Sequence, residues 1–118
     1  MFVKLKLNDN LSIGTVVCHN ADNDYWEAST NGQGLTGVVG RDPVQDETTL
    51  EWSASIYFAG TVLALADRDI PDSGGNLSVS NGKVYVDNNS SGLGIVSPNA
   101  RGQDQRIAND LVLIHINQ

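Results

Sequence analysis

Residues 49–66 read TLEWSASIYFAGTVLALA and contain two consecutive β-strand patterns. From Thr49 to Phe58 every second residue is apolar, which places the apolar and the mostly polar residues on opposite faces of a strand. Ala59-Gly60 interrupts the alternation, and Thr61–Ala66 then continues as an almost wholly apolar strand, which predicts cover on both of its faces. The predicted core residues of the first strand are Leu50, Trp52, Ala54, Ile56 and Phe58.

The rest of the chain carries shorter strand patterns between turn residues. Asn81-Gly82 separates two of them, and it favours a tight hairpin because both residues accept the positive φ angles of such a turn. The last strand is apolar at both alternate sets of positions, which predicts a central place in a sheet. The other predicted strands are Phe2–Leu7, Thr15–His19, Tyr25–Ala28, Leu35–Val39, Asn76–Val79, Lys83–Asp87, Leu93–Val96 and Leu111–Ile116.

These patterns predict an all-β fold, a small single-domain β-barrel or sandwich of short antiparallel strands that spans residues 1–118. No segment of comparable length has helical periodicity. Residues 1–8 are interpreted as an N-terminal arm or an edge strand. Pro98–Asp110 is interpreted as a polar loop with at most one helical turn.

The formal net charge of −7 is unevenly distributed. Residues 1–8 contain Lys4 and Lys6 and no acidic residue, whereas residues 9–87 contain twelve acidic and three basic residues. Because an acidic body repels phosphate backbones, we expect no nucleic-acid partner. We expect no membrane partner, since no apolar run approaches the ~20 residues of a membrane helix. We also expect no signal peptide, since lysines interrupt the first strand.

Residues capable of catalysis or metal binding are few. Asp72–Gly75 resembles the sequence around the nucleophile of chymotrypsin-like proteases, but the chain is about half the length of that two-barrel fold and the segment favours a turn. His19 and His115 lack the spaced carboxylates or thiolates of a metal site. Cys18 is the single cysteine, which excludes an internal disulfide. We therefore expect a protein that is not an enzyme, with no catalytic residue, metal site or cofactor.

Aromatic and basic residues provide candidate binding groups. Trp52 lies on the apolar side of its strand and is predicted to be core, whereas Tyr25 and Trp26 lie in a polar setting and could stack on a ligand such as a sugar. Arg41 and Arg68 each follow an apolar strand and precede an Asp and a nearby Pro. The two arginines either cap strand ends beside a turn, which we favour, or present a pair of charged corners to a partner.

A further pattern is formed by five segments in their order along the chain: Leu35–Val39, Ala59–Ala66, Asn81–Asp87, Leu93–Val96 and Asp110–Ile116. Their order and their AGTVLALA, NGKVYVD, GLGIV and DLVLIHI sequences resemble the small capsid decoration, or cement, proteins of tailed bacteriophages. The resemblance spans most of the chain and lies in strand and turn composition. Trp52 and the Pro98–Asn109 loop depart from it.

The resemblance implies a non-enzymatic β-barrel that binds the outer surface of an assembled capsid and stabilises it. Such a structural virion protein is made in the host cytoplasm, has the major capsid protein as its partner and often forms a homotrimer at three-fold positions. An N-terminal strand with local positive charge could add to the edge of a partner's sheet. The expected partner-binding residues are Phe2, Val3, Lys4, Leu5, Lys6, Arg41 and Arg68.

A different class of function remains open on the sequence alone. A carbohydrate- or receptor-binding β module, such as the tip of a viral fibre, would need exposed aromatic residues near Asn and Asp. Tyr25 and Trp26 are the obvious source of such residues. A small hydrolase ranks last, because no nucleophile, base and orienting group can be assembled.

Overall fold

The computed structural model describes residues 2–89, 92–99, 102 and 105–117, and within these residues it is all-β, with no helix. The predicted fold class is confirmed. Of the predicted Pro98–Asp110 loop, residues 100, 101, 103 and 104 lie outside the described residues, as does Met1. The strands are β1 Phe2–Leu7, β2 Val16–Asn20, β3 Tyr25–Ala28, β4 Thr36–Val39, β5 Val44–Gln45, β6 Trp52–Tyr57, β7 Ala59–Leu65, β8 Gly75–Ser80, β9 Lys83–Val86, β10 Gly94–Val96 and β11 Leu111–Asn117.

The first half of the chain forms a closed five-stranded barrel. Its strand order is β1-β3-β2-β4-β6, and pairing of β1 with β6 completes the ring, while β5 extends the sheet beyond β6. β1 and β6 are antiparallel and stay in register from Phe2 opposite Tyr57 to Leu7 opposite Trp52. β1 runs parallel to β3 and pairs with it at Leu7 and Trp26.

This pairing corrects the interpretation of residues 1–8 as an arm. β1 is a wall of the barrel, and its last residue, Leu7, is 2% exposed in the core. Removal of β1 would therefore open the barrel. Within the described residues, the second edge of β1 is paired with β3 at Leu7 but not along Phe2–Lys6.

The second half of the chain forms a five-stranded sheet. Its order is β7-β11-β10-β8-β9, so β11 lies between two neighbours, as its sequence predicts. β8 and β9 form the predicted hairpin, with Ser80 opposite Lys83. The two turn residues, Asn81 and Gly82, have φ angles of 48° and 83°, the left-handed values that a two-residue hairpin requires.

Two hydrophobic clusters follow from this architecture. One cluster fills the barrel and includes Val17 and Val39. The other lies between the barrel wall and the second sheet and includes Val16 and Val38. Because successive side chains of a strand point to opposite faces, β2 and β4 contribute to both clusters and form the wall that the two halves share.

Backbone hydrogen bonds fasten the second sheet to the barrel. The N–H of Gly14 donates to the carbonyl of Val39 at 2.7 Å, and the carbonyl of Gly14 accepts from the N–H of Leu65 at 2.9 Å. At the hairpin, the N–H of Gly82 donates to Ser29 at 2.7 Å and its carbonyl accepts from Val16 at 2.8 Å. These bonds hold the two halves in a fixed arrangement.

The predicted strand from Thr49 begins three residues late, at Trp52. Asp46 causes the difference, because its Oδ1 accepts the N–H groups of Thr48 and Thr49 at 2.8 and 2.9 Å and closes a turn. These hydrogen bonds stabilise the carboxylate and lower the pKa of Asp46. Leu50 completes the turn with a φ of 63° and is exposed, so its prediction as a core residue was wrong.

Candidate docking face and barrel-mouth cavity

The outward surface of strands β7, β11 and β10 carries an array of aliphatic side chains. Leu63 lies directly opposite Leu113, and the two are 41% and 56% exposed. Ile95 lies opposite His115, whose Nδ1 is 2.8 Å from the hydroxyl of Thr61. We call this surface the leucine face, and its residues are Thr61, Leu63, Leu65, Ile95, Leu111, Leu113 and His115.

The leucine face corrects the prediction that β7 is covered on both faces. Val62 and Ala64 point into the core, whereas Leu63, on the opposite face, stays exposed. β11 shows the same division, with Val112 and Ile114 buried and the alternate leucines exposed. No Asp, Glu, Lys or Arg occupies an outward position of these three strands, although the chain carries a net charge of −7.

The expected partner-binding residues of β1 lie together on one wall of the barrel. Phe2 stacks on Tyr57, with ring centroids 5.2 Å apart, and is half exposed. Val3 and Leu5 share the face of the buried Leu7, and Leu5 packs against the barrel core. The lysines point outward: Lys4 is exposed, and Lys6 Nζ lies 3.5 Å from Glu51 Oε2.

The two arginines have different surroundings. Arg41 is exposed in the bend after β4. Arg68 donates to Asp67 Oδ2 at 3.0 Å from Nε and 2.8 Å from Nη2, and its guanidinium lies 4.1 Å from the ring centre of Tyr85. These contacts hold Arg68 on the carboxylate of its sequence neighbour and on the ring of Tyr85 in β9.

Tyr25 and Trp26 are adjacent in β3, so their side chains lie on opposite faces and cannot form one stacking platform. Trp26 is 7% exposed in the barrel core and makes an edge-to-face contact with Phe58, with 5.4 Å between ring centroids. Trp52, in contrast, is only partly buried. The predicted burial of the two tryptophans is therefore reversed, because the side chain of Trp26 points into the closed barrel.

The phenol of Tyr25 is bound on the outside of the barrel. Its hydroxyl donates to Glu51 Oε1 at 2.9 Å. This hydrogen bond and the negative charge of Glu51 raise the pKa of Tyr25 above its usual 10.0. Together with the contact from Lys6, the carboxylate of Glu51 links β3, β1 and the start of β6.

A cavity of about 380 Å³ opens at one mouth of the barrel. Its lining comes from β2, from Trp26 of β3 and from the loop that leads into β4. The imidazole of His19 contacts the indole of Trp26, with ring centroids 5.4 Å apart. Its Nε2 lies 2.8 Å from Asp24 Oδ1. The lining residues are Cys18, His19, Trp26, Gln33, Gly34 and Leu35.

No pattern in the sequence connects Cys18 and His19 with the other lining residues, so the cavity was not predicted. The lining residues come from three segments that are not adjacent in sequence, and pairing of β2 with β3 and β4 brings them together. Cys18 is partly exposed as a free thiol. Mouths of β-barrels are common positions for small-molecule sites.

Other residues considered for chemistry are dispersed. Ser73 lies in a turn, and among the described residues no group of three or more His, Cys, Asp or Glu side chains could hold a metal ion. The described part of the chain also has no helix with the length and apolar character needed to cross a membrane.

Comparisons with protein-family models, with curated proteins and with solved structures found no match to this chain. Its function is therefore inferred from its residues and their geometry.

Proposed function

We propose that this protein is a structural virion protein that binds the outer surface of an assembled tailed-phage capsid and stabilises the shell. The observation that carries the proposal is the leucine face, which is exposed, apolar and uncharged on an otherwise acidic chain. Contiguous exposed apolar patches mark interaction surfaces, and the centres of protein interfaces are depleted of charged residues. The partner is the major capsid protein, whose repeated outer surface would cover this face.

The segments that carry the resemblance to capsid decoration proteins support this choice of face. Two of them, Ala59–Ala66 and Asp110–Ile116, coincide with β7 and β11, which build most of the leucine face. β7 and β11 remain paired over seven positions, from Ala59 opposite Asn117 to Leu65 opposite Leu111. A sheet paired over this length presents its leucines in fixed positions, which reduces the entropy lost on binding.

β1 provides a second candidate contact, because its edge along Phe2–Lys6 can accept a strand from a neighbouring chain. We propose a homotrimer, in which three leucine faces engage one capsid site together. The second and third contacts are then effectively intramolecular, so that weak individual contacts give tight binding. Three copies carry a charge of −21 from −7 each, which requires that they dock through their least acidic surfaces.

Co-sedimentation with capsid shells of the phage that encodes the chain tests the proposal. We expect wild-type protein to sediment with the shells and Leu113→Lys to bind about tenfold or more weakly, because it buries a charge in an apolar contact. Ile107→Lys is the matched control, since Ile107 is also a half-exposed aliphatic residue but lies off the leucine face. Full occupancy by Leu113→Lys would contradict the assignment of this face.

Three further tests separate the parts of the proposal. A major capsid protein gene beside the gene for this chain supports the virion assignment. Light scattering that gives three times the mass of one chain supports the trimer. Lys4→Glu tests the β1 edge, and a loss of binding in this variant alone would transfer the contact from the leucine face to β1.

A further inference from the structure

The loop between β3 and β4 is held in one conformation by two buried side chains. Ser29 and Thr36 are each 1% exposed. Ser29 Oγ accepts the N–H of Gly32 at 2.8 Å, and the hydroxyl of Thr36 lies 3.1 Å from the carbonyl oxygens of both Gly32 and Gly34. Gly34 has a φ of 75°, a conformation that side chains disfavour. The loop is therefore preorganised.

This loop places an apolar side chain at the cavity. Leu35 lines the cavity and is 60% exposed, and the nearly buried indole of Trp26 contributes to the same lining. The imidazole of His19 extends the aromatic surface beside Trp26. When a ligand covers a rigidly held leucine with its own apolar surface, the burial favours binding and little side-chain entropy is lost.

Polar groups in the same lining set the hydrogen bonds that a ligand can make. A carboxylate only accepts hydrogen bonds, so the proton of the His19–Asp24 contact lies on Nε2. In the neutral imidazole this leaves Nδ1 as an acceptor for a hydroxyl or N–H group. The amide of Gln33 offers both donor and acceptor groups. Hydroxyl groups, which donate and accept, match this set.

The charge around the cavity selects against anions. Asp24 contacts the lining through His19, and Asp22 lies in the same turn. Carboxylates in this position repel phosphate, sulfate and acidic sugars. The favoured ligand is therefore uncharged, with both an apolar surface and hydroxyl groups.

We propose that the barrel-mouth cavity binds the ring of a neutral hexose, as found in a surface glycan. The apolar C–H face of the pyranose packs on Leu35 and the aromatic lining, while its hydroxyl groups bond to His19 and Gln33. This site is separate from the leucine face and does not depend on the proposed capsid contact.

Ligand-observed NMR with the full chain tests this site. The probes are the methyl glycosides of glucose, galactose, mannose and N-acetylglucosamine, with glucuronic acid as the anionic counterpart of glucose. We expect saturation transfer to at least one neutral glycoside and a dissociation constant about tenfold higher for Gln33→Ala and Leu35→Ala. Both positions are exposed, so these variants keep the fold. Ile107→Ala is the matched control and leaves binding unchanged.

Three results would overturn the proposal. The first is the absence of transfer to all four neutral glycosides. The second is unchanged affinity in both loop variants, and the third is binding of glucuronic acid as tight as that of the glucoside. Loss of capsid binding in Leu113→Lys with unchanged glycoside binding would confirm that the two sites are independent.

Discussion

The barrel interior and the leucine face are both built from alternating apolar residues, yet one is buried and the other is exposed. The barrel closes on itself through β1 and β6, so Ile56 is fully buried and Trp26 is only 7% exposed. The second sheet packs against the barrel with one face only, and its other face keeps Leu63 and Leu113 in contact with solvent. Apolar alternation therefore indicates contact with a neighbour, and the topology determines whether that neighbour is the same chain or a partner.

The largest expected effect concerns the barrel interior. Trp26→Ala should lower the free energy of unfolding by about 3–5 kcal/mol, because it leaves a large cavity in a closed barrel. Trp52→Ala should cost less, since Trp52 is only partly buried. Urea unfolding of both variants measures the difference, and equal losses would contradict the enclosed position of Trp26.

Neighbouring residues of β11 test the comparison within one strand. Ile114→Ala should cost about 2–5 kcal/mol, because Ile114 is fully buried between the sheet and the barrel. Leu113→Ala should change stability by no more than about 0.5 kcal/mol, as expected for an exposed position. The same urea titrations apply. A loss above about 2 kcal/mol for Leu113→Ala would show that the leucine face is packed within the chain.

Much of the barrel and sheet could be predicted from local sequence. β1 and β3 have the predicted bounds, and the Asn81-Gly82 turn has the predicted geometry, because both features depend on alternation or on backbone preference within a few residues. The short strand β5 was not predicted, since two residues carry no periodicity. The start of β6 was misplaced because a side chain, Asp46, closes the preceding turn.

The candidate sites were less predictable, since they depend on how strands pair. β7 and β11 are apolar at both alternate sets of positions, and this pattern was the signal for the leucine face. A sheet that is covered on both faces by its own chain has the same pattern, so the sequence could not distinguish the two cases. The position of Trp26 depends on closure of the barrel by β1, which involves residues far away in sequence. The cavity combines three segments and has no local signature.

A smaller loss of stability is expected at Gly82, where the second sheet is hydrogen-bonded to the barrel. Gly82→Ala should cost about 1–2 kcal/mol, because the left-handed conformation disfavours a side chain. The added Cβ would also lie 3.0 Å from Thr15 Cγ2 and 3.2 Å from Ala28 Cβ. Urea unfolding measures the loss. Gly34→Ala is the control for backbone conformation alone, since it has a similar φ and open space around the added Cβ.

The smallest expected effect lies on the outside of the barrel, opposite Trp26. The hydrogen bond to Glu51 raises the pKa of Tyr25, so the folded state favours the protonated phenol. This contribution to stability is fully present below the unfolded-state pKa of about 10 and is lost as the pH rises through the higher folded-state pKa. Tyr25→Phe should therefore be less stable than wild type below about pH 10, and the gap should close as the pH rises through the folded-state pKa of Tyr25. Urea midpoints measured across this alkaline range follow the gap. Tyr85→Phe removes a phenol hydroxyl elsewhere in the structure and serves as control, and a Tyr25→Phe gap that is constant with pH would contradict the contribution of the hydrogen bond to Glu51.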